Sequence, residues 1–297
     1  MNRLALLLAC GIMAGCTTLA PGYADLTLEN LFNAERAFAS DAYARGLRPS
    51  FLAHFASDAF VFQPGPVNYG EFVKSHPGPA DPMAVLVEWG PQAGAASRAG
   101  DLGFTTGPSR VSKRADPNAP ASYGYYFSVW SRVDGTWKVL VDAGVSQVLA
   151  PPQEGVPNMR TPIFHRAGPP LTDAQRTDRR DALFALERGP RAFGDVPSGE
   201  LAWRDLVTPA TRLLRNDEPV LVGDALSRFL AKRPAGRVAW TPLAGAIAAS
   251  DDLAYTYGTS RESIGTAAPA DGYYVHVWQR DAKGDWKLIA AVSLPTG

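Results

Sequence analysis

The chain has 297 residues, of which 46% are hydrophobic, and its 29 basic residues balance its 29 acidic residues. This length is sufficient for two domains, each able to bury its own core. Nucleic-acid binding needs a basic patch or stripe, so the balanced charge gives no reason to expect a nucleic-acid partner. The cysteines are Cys10 and Cys16, so the body of the chain offers neither a disulfide framework nor a thiol nucleophile.

The N-terminus has the pattern of an export leader. Arg3 precedes an apolar run over residues 4–14, which is too short to span a bilayer. The run ends in Met-Ala-Gly-Cys, which resembles a bacterial lipobox and predicts that Cys16 is acylated and becomes the first mature residue. Acylation of Cys10 and ordinary cleavage near Ala24 are the alternatives. All three predict a location outside the cytoplasm. With the lipid, we expect the protein on the periplasmic side of the cell envelope, attached to the membrane through that lipid only.

The body of the chain contains an internal repeat. The pattern Gly-Tyr-Tyr-x-x-Val-Trp-x-Arg occurs at residues 124–132 and again at residues 272–280, each time followed by a Gly turn and a Trp-Lys pair. Other shared segments follow the same order in both halves: residues 31–36 and 183–188, 89–95 and 240–246, and 107–110 and 258–261. This order predicts two homologous domains.

The predicted domains cover residues 24–148 and 171–297, after a leader over residues 1–16. Residues 149–170 between them are rich in proline and glycine, which predicts a stiff, extended connector.

Each half begins with predicted helices and continues with predicted strands. Apolar spacing predicts a first helix over residues 27–45, with Asp25 or Thr27 as the N-cap and Gly46 as the stop. The other predicted helices cover residues 50–56, 69–75, 172–188, 199–206 and 223–232. Predicted strands in the first half cover residues 84–89, 102–106, 123–132 and 137–141, with Asp134-Gly135 as a hairpin turn. Helices followed by an antiparallel sheet, twice over, indicate an α+β fold class.

Two glutamates recur on the apolar stripe of the first helix of each half, at Glu35 and Glu187. A carboxylate in that position needs a charge partner or hydrogen bonds. The recurring arginines could supply the partner: Arg110 and Arg261, or Arg132 and Arg280. We interpret both glutamates as structural rather than catalytic.

Asp101 and Asp252 also recur, each at the start of a predicted strand, where aspartate is a common turn former. The four histidines show no metal-ligand spacing, so we expect no metal site. The phosphate-binding and dinucleotide-binding glycine motifs and the Gly-x-Ser-x-Gly elbow are missing from the sequence, so we expect no cofactor.

The repeated strand carries a row of side chains on one face. The rows are Tyr126, Ser128 and Trp130 in the first half, and Tyr274, His276 and Trp278 in the second. We favour packing of this row in the core, because aromatic side chains contribute the largest buried areas. The alternative is that the row lines a pocket. If it lines a pocket, the candidate ligand-binding residues are Tyr126, Trp130, Tyr274, His276 and Trp278, and the ligand is apolar or aromatic.

The order of these elements resembles the NTF2-like superfamily, in particular its SnoaL-like and DUF4440 branch. The resemblance rests on Leu-x-x-Glu-Arg in the first helix, the segment FASDAFVF at residues 55–62, the strand GDLGFTTG at residues 100–107, and the closing Tyr-x-x-Val-Trp-x-Arg hairpin. It implies two tandem cone-shaped domains, each with helices packed in a curved antiparallel sheet around an apolar hollow. Members of this family can place a polar pocket residue at the position of Asp142, but the second half has Ala291 there.

The resemblance does not choose between functions, because the family includes enzymes and members without known chemistry. We expect a protein without catalytic activity whose hollows bind a small apolar ligand or whose surfaces bind another protein. The two domains could also pair with each other as an internal pseudo-dimer. The alternative is a SnoaL-like isomerase, cyclase or hydrolase acting on a hydrophobic compound. An acid or base deep in a hollow, with a partner within about 3.2 Å, favours chemistry, whereas a hollow closed by aromatic side chains favours a structural role.

Overall fold

A computed structural model describes residues 23–116, 118–151, 169–196 and 200–296. The predicted leader with Cys16 and most of the proline-rich connector lie outside these residues. The described part of the first half begins with helix α1 (Tyr23–Arg45), followed by α2 (Leu47–His54) and later by α3 (Tyr69–Ser75). None of the described helices is long and apolar enough to cross a membrane.

The first half folds into a seven-stranded sheet in the order β2-β1-β7-β6-β5-β3, in which β4 also pairs with β5. The parallel contact between β1 and β7 joins segments far apart in the chain. Its strands are β1 (Phe55–Phe62), β2 (Pro66–Asn68), β3 (Val85–Trp89), β4 (Ala93–Ala96), β5 (Leu102–Lys113), β6 (Ser122–Val133) and β7 (Thr136–Gln147).

The second half begins with helix α4 (Asp173–Glu187) and contains a second helix, α5 (Asp224–Lys232). Its six-stranded sheet has the order β10-β9-β14-β13-β12-β11, which repeats the order of the first sheet element by element. The strands are β8 (Gly189–Phe193), outside that path, β9 (Val207–Arg215), β10 (Leu221–Val222), β11 (Gly236–Ile247), β12 (Leu253–Ile264), β13 (Ala270–Arg280) and β14 (Trp286–Pro295). The fold is therefore mixed α+β, with few helices and curled sheets.

Most predicted elements form, with shifted ends. The helix predicted over residues 50–56 begins instead at Leu47, directly after Gly46, because Pro49 is tolerated in a first helical turn. A single 3-10 turn (Trp203–Leu206) replaces the helix predicted over residues 199–206. The hairpin at Asp134-Gly135 forms with positive φ at both residues, 48° and 77°, as its turn type requires.

Alternation along the central strands divides the buried side chains into two sets. On β6, Tyr126, Ser128 and Trp130 face the helices of their own half, inside the hollow, whereas Phe127 and Val129 face away. Phe127 and Val129 pack in one apolar cluster with Val275 and Val277 of β13. The cluster joins the outer faces of the two sheets, so each sheet is covered on both sides.

Backbone contacts between the halves are reciprocal. The amide of Arg98 donates to Asp252 Oδ2 at 2.9 Å, and the amide of Ala249 donates to Asp101 Oδ2 at 2.8 Å. The two bonds connect corresponding positions of the repeat in opposite directions. The predicted turn residues Asp101 and Asp252 therefore lie at the contact between the halves, where each accepts a hydrogen bond from the other half.

Candidate functional site

A hydrogen-bonded carboxyl lies at the base of the first hollow. Helix α1 places Glu35 there, with 0% of its surface exposed. Trp89 Nε1 donates to Glu35 Oε1 at 2.6 Å, and the Thr105 hydroxyl donates to the other oxygen. Trp130 Nε1 donates in turn to Thr105 Oγ1 at 2.9 Å. Burial raises the pKa of Glu35 to about 7 against the opposing effect of these donors.

The buried position expected for Glu35 is confirmed, but the arginine partner is wrong. Each recurring arginine makes its contact elsewhere: Arg110 with Glu88, Arg261 with Asp271, Arg280 with Asp251, and Arg132 over the ring of Trp137. Neutral donors hold Glu35 instead, which costs less desolvation than burying a second charge beside it.

Asp142 of β7 is a second carboxyl in the first hollow. It lies opposite Ser128 of β6 in the sheet register, and Ser128 Oγ donates to Asp142 Oδ2 at 3.0 Å. Burial, together with a smaller effect of the nearby Glu35 carboxyl, raises the pKa of Asp142 to about 7 against the opposing effect of the Ser128 hydrogen bond. The side chain is only half-buried by area because it faces open space inside the hollow.

That open space consists of two adjoining cavities. An outer cavity of about 550 Å³ lies under α2 and α3, and an inner cavity of about 340 Å³ reaches towards β3, β5 and β6. Both are lined by Leu47, Phe51, Asp142, Ala143 and Gly144. Asp142 therefore lies where the two cavities meet, and a molecule in either one can contact its carboxyl.

The corresponding hollow of the second half is filled by side chains. Glu187 corresponds to Glu35 and is again fully buried; Thr256 donates to its Oε1 at 2.9 Å, and Trp278 donates to Thr256 at 3.0 Å. His276 replaces Ser128, and its Nδ1 lies 2.6 Å from Glu187 Oε1. Ala291 stands opposite His276, where the first half has Asp142.

The candidate residues of the aromatic rows are placed as follows. Tyr126 lines the inner cavity, and its buried hydroxyl has no hydrogen-bond partner among the described residues. Trp130 and Trp278 are 0% exposed and donate to the threonines of their own halves. Tyr274 and His276 are at most 2% exposed and lie 4.3 Å apart between ring centroids. Pocket lining by these rows stays a prediction.

The second hollow meets both criteria set out from the sequence. It holds an acid and a base within hydrogen-bond distance, and it is also closed by rings: Trp240 packs edge-on against His276 at 4.8 Å. Because these rings enclose the pair of Glu187 and His276, a ligand in solution does not reach it. Within the described residues, no group of three His, Cys, Asp or Glu side chains could hold a metal ion.

Sequence reasoning gave Asp142 too little weight. Its position was recognised as one for a polar pocket residue, but Ala291 in the second half argued against a role. The two halves differ at two corresponding positions: Ser128 and Asp142 in the first half are replaced by His276 and Ala291 in the second. In each half these two residues face each other across neighbouring strands. This paired difference is the sequence feature that could have indicated the site.

The sequence matches no protein-family model and no curated protein. Similar solved structures include an NTF2-like protein of unknown function from Pseudomonas putida KT2440, with 15% identity over 47% of this chain and 100% of that one, and a TM-score of 0.33. Another is an NTF2-like protein of unknown function from Shewanella oneidensis MR-1, with 10% identity over 39% of this chain and 97% of that one, and a TM-score of 0.31. Both similarities are weak in sequence identity and in TM-score.

Proposed function

We propose that the chain consists of two tandem NTF2-like units, that the first unit binds a small, mainly apolar molecule in its hollow, and that the corresponding hollow of the second unit is filled by its own side chains. One observation carries the proposal: Asp142 lies at the junction of two ring-lined cavities in the first half, while Ala291 and His276 occupy the matching space in the second. Ligand sites are typically apolar hollows with a few placed polar groups.

The tandem arrangement is supported by the chain itself. The shared segments of the sequence fall on corresponding elements, and both sheets have the same strand order. Glu35 and Glu187 sit on the first helix of each half and accept from Thr105 and Thr256 on corresponding strands. The assignment to the SnoaL-like and DUF4440 branch rests on the sequence motifs alone.

The two units form an internal pseudo-dimer in this proposal. The reciprocal bonds of Asp101 and Asp252, and the apolar cluster between the outer faces of the sheets, support it. A self-complementary contact of this kind is the rule for two-fold assemblies. We therefore expect one chain to be monomeric in solution, since the face that would pair two copies is already covered.

A fluorescence titration tests ligand binding by the first unit. The probe is N-phenyl-1-naphthylamine, a neutral fluorophore that brightens in apolar sites. A Gly144→Leu substitution fills the junction of the cavities: Gly144 lies on the same face of β7 as Asp142, and an added Cβ would meet its nearest atom at 3.4 Å. We expect at least a tenfold loss of probe affinity.

The matched control is Ser293→Leu at the corresponding position of β14, opposite Tyr274 as Gly144 is opposite Tyr126. We expect it to leave probe affinity unchanged. Equal binding by the wild type and Gly144→Leu would refute the proposed site. Native mass spectrometry of the mature protein from its own envelope fraction would then show whether any small molecule co-purifies.

Envelope location and lipidation at Cys16 are also part of the proposal, supported by the leader pattern alone. Expression of the full chain with Cys16→Ala and, as the matched control, Cys10→Ala tests it. We expect Cys16→Ala to abolish the lipid mass and release the protein from the membrane fraction. Loss of the lipid from Cys10→Ala instead would reassign the modified residue.

A second candidate is proton-transfer catalysis on a hydrophobic substrate, as in SnoaL-like isomerases and cyclases. The Asp142 carboxyl favours it, because a base with a pKa of about 7 inside an apolar hollow suits proton abstraction near neutral pH. Deuterium exchange into 2-tetralone, a bicyclic ketone with acidic C–H bonds, can be followed by NMR. We expect acceleration by wild type and not by Asp142→Asn; equal rates would exclude this activity on such ketones.

A further inference from the structure

The first hollow contains two carboxyl groups and no matching cation. Among the described residues, neither Glu35 nor Asp142 has a lysine, arginine or histidine within 4.0 Å. Asp142 receives a single hydrogen bond, from Ser128, which leaves its other oxygen without a donor. An ionised carboxyl in this partly buried position is unfavourable for the folded protein unless a positive charge binds beside it.

Arg48 is the cationic side chain that lines the outer cavity. Its guanidinium already donates to two backbone carbonyls, to His76 O at 2.5 Å and to Val73 O at 2.6 Å. These bonds hold the Arg48 guanidinium at the C-terminal end of α3. The carboxyl of Asp142 is therefore left to a group from outside the protein.

Aromatic rings surround the space in front of Asp142. In the outer cavity, the rings of Phe51 and Tyr69 lie 5.6 Å apart, and Phe72 stacks on His76 at 4.2 Å. The faces of aromatic rings carry partial negative charge, which attracts an organic cation. The aromatic walls and the Asp142 carboxyl therefore both favour a positively charged ligand.

Tyr126 forms part of the wall of the inner cavity. It is 9% exposed, and its ring lies 6.4 Å from the ring of Trp89. Its hydroxyl is buried beside Thr105 and makes no hydrogen bond of full geometry among the described residues, as is also true of the Tyr274 hydroxyl in the second half. Since this hydroxyl has no exposed surface, an ammonium group in the cavity would bind the free oxygen of Asp142 instead.

We infer that the ligand of the first hollow is an organic amine in its protonated form, with the ammonium group on the Asp142 carboxyl and an apolar or aromatic body against Phe51, Tyr69 and Phe72. This inference rests on the proposed binding function of the first unit and narrows it to one class of ligand. The second hollow offers no such site, since Ala291 has no charge to present.

Proton release accompanies binding of an amine. The ammonium stabilises the ionised form of Asp142, so a carboxyl that is partly protonated in the free protein loses its proton. Other titratable groups line the cavities: Arg48 of α2, Tyr69 of α3, His76 after α3, and Tyr123 and Tyr126 of β6. Glu35 of α1 lines neither cavity but lies near enough to Asp142 to raise its pKa. Glu35 responds in the same direction as Asp142, because it also carries a raised pKa.

Competition against N-phenyl-1-naphthylamine tests the inference with two compounds of equal size, 3-phenylpropylamine and 3-phenyl-1-propanol. At pH 8, where Asp142 is mainly ionised, we expect the amine to bind wild type at least tenfold more tightly than the alcohol. Asp142→Asn should abolish the preference and leave alcohol affinity within about twofold. Asp58→Asn, at an exposed position of β1, is the control and should keep the preference.

Calorimetry of amine binding at pH 6.5 in buffers of different ionisation enthalpy gives a second readout. We expect wild type to release more protons on binding than Asp142→Asn, in which Glu35 is the carboxyl with a raised pKa that remains. Equal affinity for the amine and the alcohol would overturn the amine inference while the proposed function stands. Binding of neither compound would also overturn it, and if the probe fails to bind as well, the proposed function fails with it.

Discussion

The two hollows of the molecule share one hydrogen-bonded frame and differ in what fills it. In both, an indole donates to a threonine, and the threonine donates to a buried glutamate: Trp130, Thr105 and Glu35 in the first half, and Trp278, Thr256 and Glu187 in the second. The frame ties the central strands to the first helix of each half. It accounts for the recurrence of these residues without any function in binding.

The difference lies in one facing pair of side chains. Ser128 and Asp142 leave space and a carboxyl in the first hollow; His276 and Ala291 give a ring that turns onto Glu187 and a methyl group that needs no partner. The facing pair therefore leaves the first hollow open and the second filled.

The largest expected effect comes from removing the ring that fills the second hollow. His276→Ala leaves a cavity and a buried Glu187 that keeps the hydrogen bond from Thr256 but loses the contact with the imidazole, which should lower the free energy of unfolding by about 3–5 kcal/mol. Ser128→Ala, at the matching position of the first half, removes one hydrogen bond and should cost about 1 kcal/mol. Urea unfolding of both variants measures the contrast, and equal losses would contradict the division into an open and a closed hollow.

The second effect is a pH dependence that belongs to the first hollow. The pKa of Asp142 is raised from 3.8 to about 7, so ionisation of this carboxyl destabilises the fold progressively as pH rises between those values, and by a constant amount above them. Asp142→Asn removes this loss. We compare the free energy of unfolding of Asp142→Asn with that of wild type at each pH. The difference, variant minus wild type, should be about 2–3 kcal/mol larger at pH 8 than at pH 5.

Urea unfolding at the two pH values measures this difference, with Asp58→Asn as the exposed control. Glu35 has a raised pKa as well, and it contributes to the wild type and the variant alike. A difference between Asp142→Asn and wild type that does not change with pH would show that the Asp142 carboxyl is solvated rather than enclosed.

The third effect compares the two ends of the reciprocal contact between the halves. Asp252 is 2% exposed, whereas the side chain of Asp101 is 29% exposed. We expect Asp252→Ala to cost about 1.5–2 kcal/mol and Asp101→Ala about 1 kcal/mol or less, because solvent replaces more of the lost bond at Asp101. Amide hydrogen exchange should speed up at Arg98 in the first variant and at Ala249 in the second, and unchanged exchange would show that these bonds do not hold the halves together.

The sequence predicted local features well. Helix α3 forms at the predicted residues, and the Asp134-Gly135 turn forms as its residue types demand. Burial of Glu35 followed from its place on an apolar stripe. These features depend on neighbours in the chain or on the period of one helix.

Features that depend on distant contacts were missed. Phe55–Phe62 becomes a strand through parallel pairing with β7, which local propensity does not reveal. The partners of Glu35 are Trp89 and Thr105 rather than an arginine. Three of the recurring arginines pair with acidic side chains elsewhere, and Arg132 lies over the ring of Trp137. The place of Asp142 beside two cavities depends on the packing of distant elements, which a sequence repeat does not record.

The smallest expected effect tests whether the facing pair alone decides between open and closed. Ser128→His with Asp142→Ala copies the second hollow into the first. Nδ1 of the new ring can reach Glu35, as His276 reaches Glu187, and the ring then occupies the junction beside Phe51. We expect the double variant to remain folded and to lose about tenfold in affinity for N-phenyl-1-naphthylamine, about 1.4 kcal/mol. Undiminished probe binding by the double variant would mean that other walls of the hollow, and not this pair, keep it open.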